Sequence, residues 1–265
     1  TEPVAAMGVA PLALVRGVWA GGQRHGVVLW SSDIESTFEE LTAQVNLGMH
    51  ASLSGIPWWS SDVGGFGCGR HTHDNESPYM QELIVRWYQF GLFCPIFRTH
   101  GCRHGHSADL ATLEADVCLH GKNTCSGNEV WSYGTEVQKL LEEYVRVRAE
   151  MLPYLLELAA NVSKFGVPTM RPLWWEFPSD QAAFDVEDQF MLGPDILVAP
   201  VTRQNATSRQ VYFPAGASWR NFFNASHVEV GGQTVTVEAP ITVIPAYLRV
   251  RPQTTAISST PTVIV

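Results

Sequence analysis

Val27-Val-Leu-Trp-Ser-Ser-Asp-Ile-Glu-Ser-Thr-Phe-Glu39 decides the fold class. The apolar run Val27–Trp30, bounded by Gly26 and Ser31, reads as a fully buried strand. Asp33 follows it. Ser36 then stands as an N-cap with Glu39 three residues later, the capping-box pattern, so a helix begins directly after the strand-end acid. That helix carries Phe38, Leu41, Val45 and Leu47 toward the core and ends near Gly48. A buried strand that leads through an acid into an amphipathic helix is one unit of a parallel sheet with helical crossovers.

The same pattern extends in both directions. Upstream, Leu12-Ala-Leu-Val-Arg16 is another buried run, ending on an arginine. Downstream, the apolar run Ala51–Trp59 leads to Asp62, followed by a Gly-rich turn (Gly64, Gly65, Gly67, Gly69) and a polar loop over 70–77. Pro78 opens a second helix, with Leu83, Ile84, Trp87, Tyr88 and Phe90 on its apolar side and Gly91 as its stop. Phe93-Cys-Pro-Ile-Phe97 is the next strand-like run and ends at Arg98-Thr-His100. Residues 101–134 are irregular and rich in Gly, His, Cys and Asn, which is long for a connection. From Thr135 a helical pattern runs through Leu140, Tyr144, Val147, Met151, Leu155 and Leu158, and Pro153 predicts a kink inside it.

Beyond Pro168 the texture changes. Val211–Phe213, Val228–Val230, Thr234–Val237 and Ile241–Ile244 are short β-branched runs split by Gly, Pro and Asn, which predicts an antiparallel β region. Two domains are therefore expected, 1–170 and 171–265, with the boundary between Val167 and Gln189. The Ser/Thr-rich tail Gln253–Thr262 is expected to fray.

Composition excludes several classes. Of the 265 residues, 45% are hydrophobic and 16% charged, so the chain is globular and carries a sizeable core. The net charge is −9 with no basic stripe, which argues against a nucleic-acid partner. No apolar run has the length of a membrane span, and no membrane partner is expected. Thr1-Glu-Pro-Val shows no signal-peptide pattern and fits a mature protein or an internal fragment. Five cysteines leave at least one unpaired within the chain, and a Cys118–Cys125 loop disulfide and free thiols stay open as alternatives. Sequons at Asn75, Asn161, Asn205 and Asn224 lean toward a secretory pathway.

In a barrel of alternating strands and helices the chemistry sits at the C-terminal ends of the strands. Those ends are Arg16, Asp33, Asp62 and Arg98 with His100, and Trp30, Trp58, Trp59, Phe66 and Phe97 stand beside them. Aromatic faces stack on the apolar faces of a pyranose, and charged groups bond strongly to its hydroxyls. The plainer readings compete. Asp33 lies three residues before a candidate cap, and Arg16 and Arg98 suit structural ion pairs. Trp58 and Trp59 point to opposite sides of a strand, so at most one faces a pocket. His71-Thr-His73 and Cys102-Arg-His104-Gly-His106 match no established zinc spacing, so no metal is expected. Gly64-Gly65 lacks the rest of a phosphate loop, so no nucleotide site is expected, and no cofactor.

Leu29-Trp-Ser-Ser-Asp33, the stretch 48–66, Arg86-Trp-Tyr-Gln-Phe-Gly91 and Pro95-Ile-Phe-Arg-Thr-His-Gly101 resemble glycoside hydrolase family 31. The resemblance continues through Glu129-Val-Trp131, Arg148-Ala-Glu-Met-Leu-Pro-Tyr154, Arg171-Pro-Leu-Trp174 and Gly193-Pro-Asp-Ile-Leu-Val-Ala-Pro200. It implies the C-terminal part of a (β/α)8 TIM barrel followed by an antiparallel β-sandwich. It also implies retaining hydrolysis of terminal α-linked xylose or glucose, with an oligosaccharide or glycoside as substrate. By this resemblance Asp33 is the general acid/base, and Arg16, Trp30, Trp59, Asp62, Phe66, Arg98 and His100 line the terminal-sugar pocket. Asp62 and His100 would hydrogen-bond the sugar hydroxyls.

Two departures accompany it. The family's nucleophile lies upstream of the Arg16 motif, and only Glu2 is acidic there. The loop 102–128 is also longer and richer in cysteine than the usual connection. The chain is thus expected to be a fragment whose nucleophile is missing upstream and which is inactive alone. A carbohydrate-binding or scaffold protein without catalysis is the alternative.

Overall fold

The computed structural model describes residues 12–67, 75–102 and 127–251. Strands β1 (Ala13–Val15), β2 (Val27–Trp30) and β3 (Trp59–Ser60) form a parallel sheet in chain order. Leu29 pairs with Trp59 and Trp30 with Ser60. The segment 96–99 continues the sheet beyond β3: Ile96 N–H donates to Trp59 O at 3.2 Å, Val63 N–H to Arg98 O at 3.3 Å, and Val63 bridges Thr99 in parallel. The expected strand Phe93–Phe97 therefore starts only at Ile96. Leu92 and Phe93 still belong to the turn that closes the preceding helix, and the carbonyls of Cys94 and Pro95 face Arg148 instead of a neighbouring strand.

Helix α1 (Phe38–Leu53) crosses from β2 to β3. Its cap is Thr37, one residue beyond the expected Ser36, and Thr37 Oγ1 accepts the Glu40 N–H at 3.1 Å. Phe38, Leu41 and Val45 are buried as expected, but Leu47 is 45% exposed because the core stripe passes through Gly48, Met49 and Ser52. Gly48 does not stop the helix. A Cβ there would stand 2.8 Å from Met170 Cε and 3.0 Å from the Trp59 ring, so this glycine allows close packing inside the helix.

Helix α2 (Pro78–Gly91) begins at the predicted proline, with the Ser77 hydroxyl accepting the Met80 N–H at 3.2 Å. It is buried on nearly every side from Leu83 to Gly91, polar Arg86 and Gln89 included. The reason is its position between the parallel sheet and the antiparallel region. Trp87 Nε1–H donates to Ser61 Oγ at 3.0 Å on one side, and Arg86 donates to the carbonyls of Ala239 at 2.7 Å and Ala206 at 3.0 Å on the other. After a 3-10 turn at Val130–Tyr133 come α3 (Thr135–Glu150) and α4 (Leu152–Phe165). They are parted at Met151, with Pro153 in the first turn of α4, where the missing proline N–H costs least.

The antiparallel region starts at β4 (Met170–Arg171), and a single helical turn, α5 (Leu173–Glu176), follows it. The remaining strands are β5 (Phe190–Leu192), β6 (Ile196–Val198), β7 (Ser208–Phe213), β8 (Ser218–Asn221), β9 (Val228–Val230), β10 (Gln233–Glu238) and β11 (Ala246–Val250). Of the eight strands β4–β11, six pair in the order β4-β5-β6-β11-β8-β9, and β7 pairs with β10. The two sheets share a core in which Phe213 and Tyr247 meet edge to face at 4.7 Å. β5 is buried on both faces: Met191 enters this core, while Phe190 and Leu192 face the helices, with the Phe190 ring 6.0 Å from Phe90. The run Ile241–Ile244, expected as a strand, is a turn. Its carbonyls accept from the barrel-side helix, Ile241 O from Gln89 at 2.7 Å and Val243 O from Arg86 at 3.4 Å.

β1 is the outer strand of its sheet among the described residues, and Leu12 and Leu14 there are 77% and 46% exposed, against the expectation of full burial. No described helix is long and apolar enough to cross a membrane. Cys94 is a free, buried thiol and Cys102 is disulfide-bonded, while Cys68, Cys118 and Cys125 lie outside the described residues. So do His71, His73, His104, His106 and the tail from Pro252. Asn75 is buried and its amide donates to Gly127 O at 3.0 Å, whereas Asn205 and Asn224 are exposed.

Candidate active site

Arg16, Asp33, Asp62 and Arg98 come together because consecutive strands run parallel and each hands its chain to the same end of the sheet. Arg16 directly follows β1. Its Nε–H donates to Ser32 Oγ at 2.7 Å, and its Nη2 lies 3.7 Å from Asp33 Oδ2. Both partners of that pair are open to solvent, so it adds little stability, about 1 kcal/mol at most. Ser32 holds a positive φ of 73°, rare for a residue with a side chain. This turn was not legible in Trp30-Ser-Ser-Asp33, because nothing in a Ser-Ser pair announces a left-handed backbone.

Asp62 is the opposite kind of acid. It has no exposed surface, and its Oδ1 accepts a short hydrogen bond from Arg98 Nη2. Arg98 in turn lies over the Trp30 ring at 5.9 Å, a cation–π contact. Burial pushes the Asp62 carboxyl above the usual carboxylate range. The charges of Arg98 and His100 and the Arg98 hydrogen bond pull it back, and Asp33 adds to the rise. The ring of the exposed His100 stands 5.5 Å from that of Phe66.

The two acidic turns are locked to one another by backbone. Phe66 N–H donates to Ile34 O at 2.7 Å, so the Gly-rich turn after Asp62 lies on the segment after Asp33. Gly65 makes the approach: a Cβ there would fall 2.5 Å from Glu35 O and 2.6 Å from Ser36 Cα, at a φ of +76°. The Gly cluster was visible in the sequence, but its contact with Glu35 was not, because that contact joins two units thirty residues apart.

Trp59 stands apart from the cluster. The register that pairs it with Leu29 turns both toward the helices, and it is 2% exposed, against Phe90 at 6.3 Å and Gly48. The adjacent pair Trp30–Ser60 faces the other way. Trp59 is a packing residue of the helical layer, which corrects its expected place in the pocket.

Several polar atoms of the cluster are buried and have no hydrogen-bond partner among the described residues: Trp30 Nε1, Ser31 Oγ, Asp62 Oδ2 and Arg98 Nε. Each such atom costs about 1–3 kcal/mol, so a concentration of them belongs to a functional site more than to a core. Among the described residues no group of three metal-ligating side chains occurs.

The pattern of the glycosyl hydrolases family 31 TIM-barrel domain matches residues 5–118, and that of the family 31 C-terminal domain matches residues 166–250. The chain belongs to glycoside hydrolase family 31. It is 34% identical over 236 residues to an α-xylosidase of Saccharolobus solfataricus, covering 89% of this chain and 29% of that protein. It is 31% identical over 242 residues to α-glucosidase 2 of Bacillus thermoamyloliquefaciens, covering 91% and 27%. The crystal structure of a family 31 α-xylosidase from a soil metagenome, complexed with xylose, superposes with a TM-score of 0.84 at 37% identity, covering 94% of this chain and 36% of that one. The chain thus spans less than a third of these two curated relatives. The partial barrel and the antiparallel domain described above are the family's TIM-barrel and C-terminal domains.

Proposed function

We propose that this chain is the part of a retaining α-glycosidase that carries the general acid/base, Asp33, and one wall of the terminal-sugar pocket. Arg16, Trp30, Asp62, Phe66, Arg98 and His100 form that wall. The single observation that carries the reading is the strand-end cluster in which a solvent-open acid stands beside a buried, Arg-paired acid and a set of uncommitted polar atoms. Sugar hydroxyls, which both donate and accept, are the chemistry that completes such a set. A terminal α-linked xylose or glucose is the proposed substrate. Xylose is favoured because an α-xylosidase bound to xylose is among the chain's similar structures.

In this reading Asp33 as the carboxylic acid gives its proton to the glycosidic oxygen while the C1–O bond breaks and a nucleophilic carboxylate bonds to C1. Asp33 as the carboxylate then takes a proton from the water that attacks C1 and releases the sugar. Such an enzyme holds its two carboxyls about 5–5.5 Å apart. Asp62 is engaged by Arg98 and is a sugar-binding group in this scheme, so the nucleophile is assigned to sequence outside these 265 residues. Hydrolysis of an aryl α-xyloside against an aryl α-glucoside by the full-length protein tests the reading, and cleavage of neither removes it. Loss of turnover with retained sugar binding in Asp33→Ala supports catalysis. Sugar binding with no turnover even in the unaltered protein supports the carbohydrate-binding alternative.

A further inference from the structure

Arg98 reaches the site at the end of a connector that starts where α2 stops. Over that connector three backbone carbonyls converge on one side chain from a different helix. Arg148, on α3, donates through Nη1 to Leu92 O at 2.7 Å and Cys94 O at 2.8 Å, and through Nη2 to Pro95 O at 2.8 Å. Leu92, Cys94 and Pro95 are buried, so these carbonyls have no water to turn to. Among the described residues no carboxylate pairs with Arg148. Burial pushes its pKa down to about 10, and its charge is devoted to the three carbonyls.

Directly after Pro95 the chain changes partner. Ile96 N–H donates to Trp59 O, Arg98 O accepts from Val63, and Arg98 then extends to Asp62 and over the Trp30 ring. The connector is therefore held from behind by Arg148 and from the front by β3, and only Ile96 and Phe97 separate the last Arg148 contact from Arg98. A planar guanidinium meets three divergent carbonyls at fixed angles, whereas a lysine ammonium is a single point of donation on a flexible stem.

We propose that Arg148 is a positioning residue: by clamping the Leu92–Pro95 turn it sets where Arg98 enters the strand-end cluster, and through it the Arg98–Asp62 pair that receives the sugar. This rests on the reading of that pair as sugar-binding.

The test compares Arg148→Lys and Arg148→Met in the full-length protein, labelled with fluorotryptophan and read by fluorine NMR, with Trp30→Phe to assign the Trp30 signal. Arg148→Lys is expected to stay folded, to displace the Trp30 signal while that of Trp219 in the antiparallel domain stays in place, and to raise KM for the aryl α-xyloside. The rise expected is roughly ten-fold or more, as for one misplaced charge-assisted hydrogen bond. Arg148→Met is expected to show the same changes more strongly, and if it does not fold the lysine variant carries the test alone. A lowered melting temperature with the Trp30 signal and KM both unchanged overturns the proposal, because a purely structural clamp has that result. If the unaltered protein cleaves and binds no xyloside, the glycosidase reading fails, and the Trp30 signal of Arg148→Lys still decides whether Arg148 places Arg98.

Discussion

Buried polar groups are treated differently in the two halves of this molecule. In the described residues from Glu129 onward, no buried side-chain nitrogen or oxygen lacks a partner; every such atom belongs to residues between Trp30 and Asn128. Gln189 shows how the antiparallel domain handles the problem: its amide donates to Tyr212 O at 2.9 Å and accepts from Tyr212 N at 2.8 Å. Charged groups there are paired as well, Arg171 with Glu176, Arg249 with the same Glu176 at 3.5 Å, and Arg209 with Asp188 at 2.9 Å. The barrel side keeps Asp62 Oδ2, Trp30 Nε1 and Arg98 Nε uncommitted in one place. Of the nine such atoms among the described residues, four lie in the strand-end cluster and five on the helices and loops around it, so the division runs between the antiparallel domain and the barrel side, and unsatisfied groups persist where function needs them.

The largest effect expected from this division is on turnover. Asp33→Ala should lower kcat about 10²–10⁴-fold, the usual range for a general acid/base, with the melting temperature nearly unchanged because Asp33 is solvent-open. A large loss of stability in that variant would mean that Asp33 is structural and would erase the contrast. Next comes Arg98→Ala, which strands a buried carboxylate and should cost about 3 kcal/mol of unfolding free energy at neutral pH, read by urea denaturation. Gly65→Ala should follow at about 2 kcal/mol, since a Cβ collides with the Glu35 backbone at a left-handed φ. Its signature is a fall in kcat alongside the stability loss, as the Asp33 and Asp62 turns are pushed apart.

Gln189→Leu breaks the satisfied side. It should cost about 1–2 kcal/mol through the orphaned Tyr212 backbone groups while leaving sugar affinity intact, which titration calorimetry would check. The smallest expected effect is on pH dependence. Asp62 has a folded pKa raised above its unfolded value of about 3.9, so the folded state binds the proton more tightly than the unfolded chain. That contribution is fully present below the unfolded value and is lost as pH rises through the folded one. Asp62→Asn should therefore flatten the decline of stability just above pH 4, and an unchanged slope in a series of urea melts would count against a raised Asp62.

Much of the site was readable from local pattern because it sits at strand ends, and strand ends are marked where an apolar run stops. Arg16, Asp33, Asp62 and Arg98 were each picked out in this way, and the fold joins all four in two ion pairs. What failed did so where the partner was distant in sequence. Gly48 carried a stop signal, but Met170 and Trp59 made it a close-packing position inside a helix. Ile241–Ile244 had strand composition, yet Arg86 and Gln89 on α2 draw its carbonyls into a turn. Phe93–Phe97 was shortened in the same manner by Arg148. Strand β5 escaped notice because its three residues fall short of the apolar run that marks a buried strand.

Residue order alone was enough to establish alternating strands and helices, a β-rich second half and two acids at neighbouring strand ends. These follow from periodicity and from Gly and Pro positions, which act within a few residues. The different fates of the two acids were decided only by tertiary contacts. Register turned Trp30 one way and Trp59 the other, and the fold buried Asp62 against Arg98 while leaving Asp33 in water. Burial and the placement of charge depend on which segments meet, and that information is held by the assembled chain and not by any stretch of it.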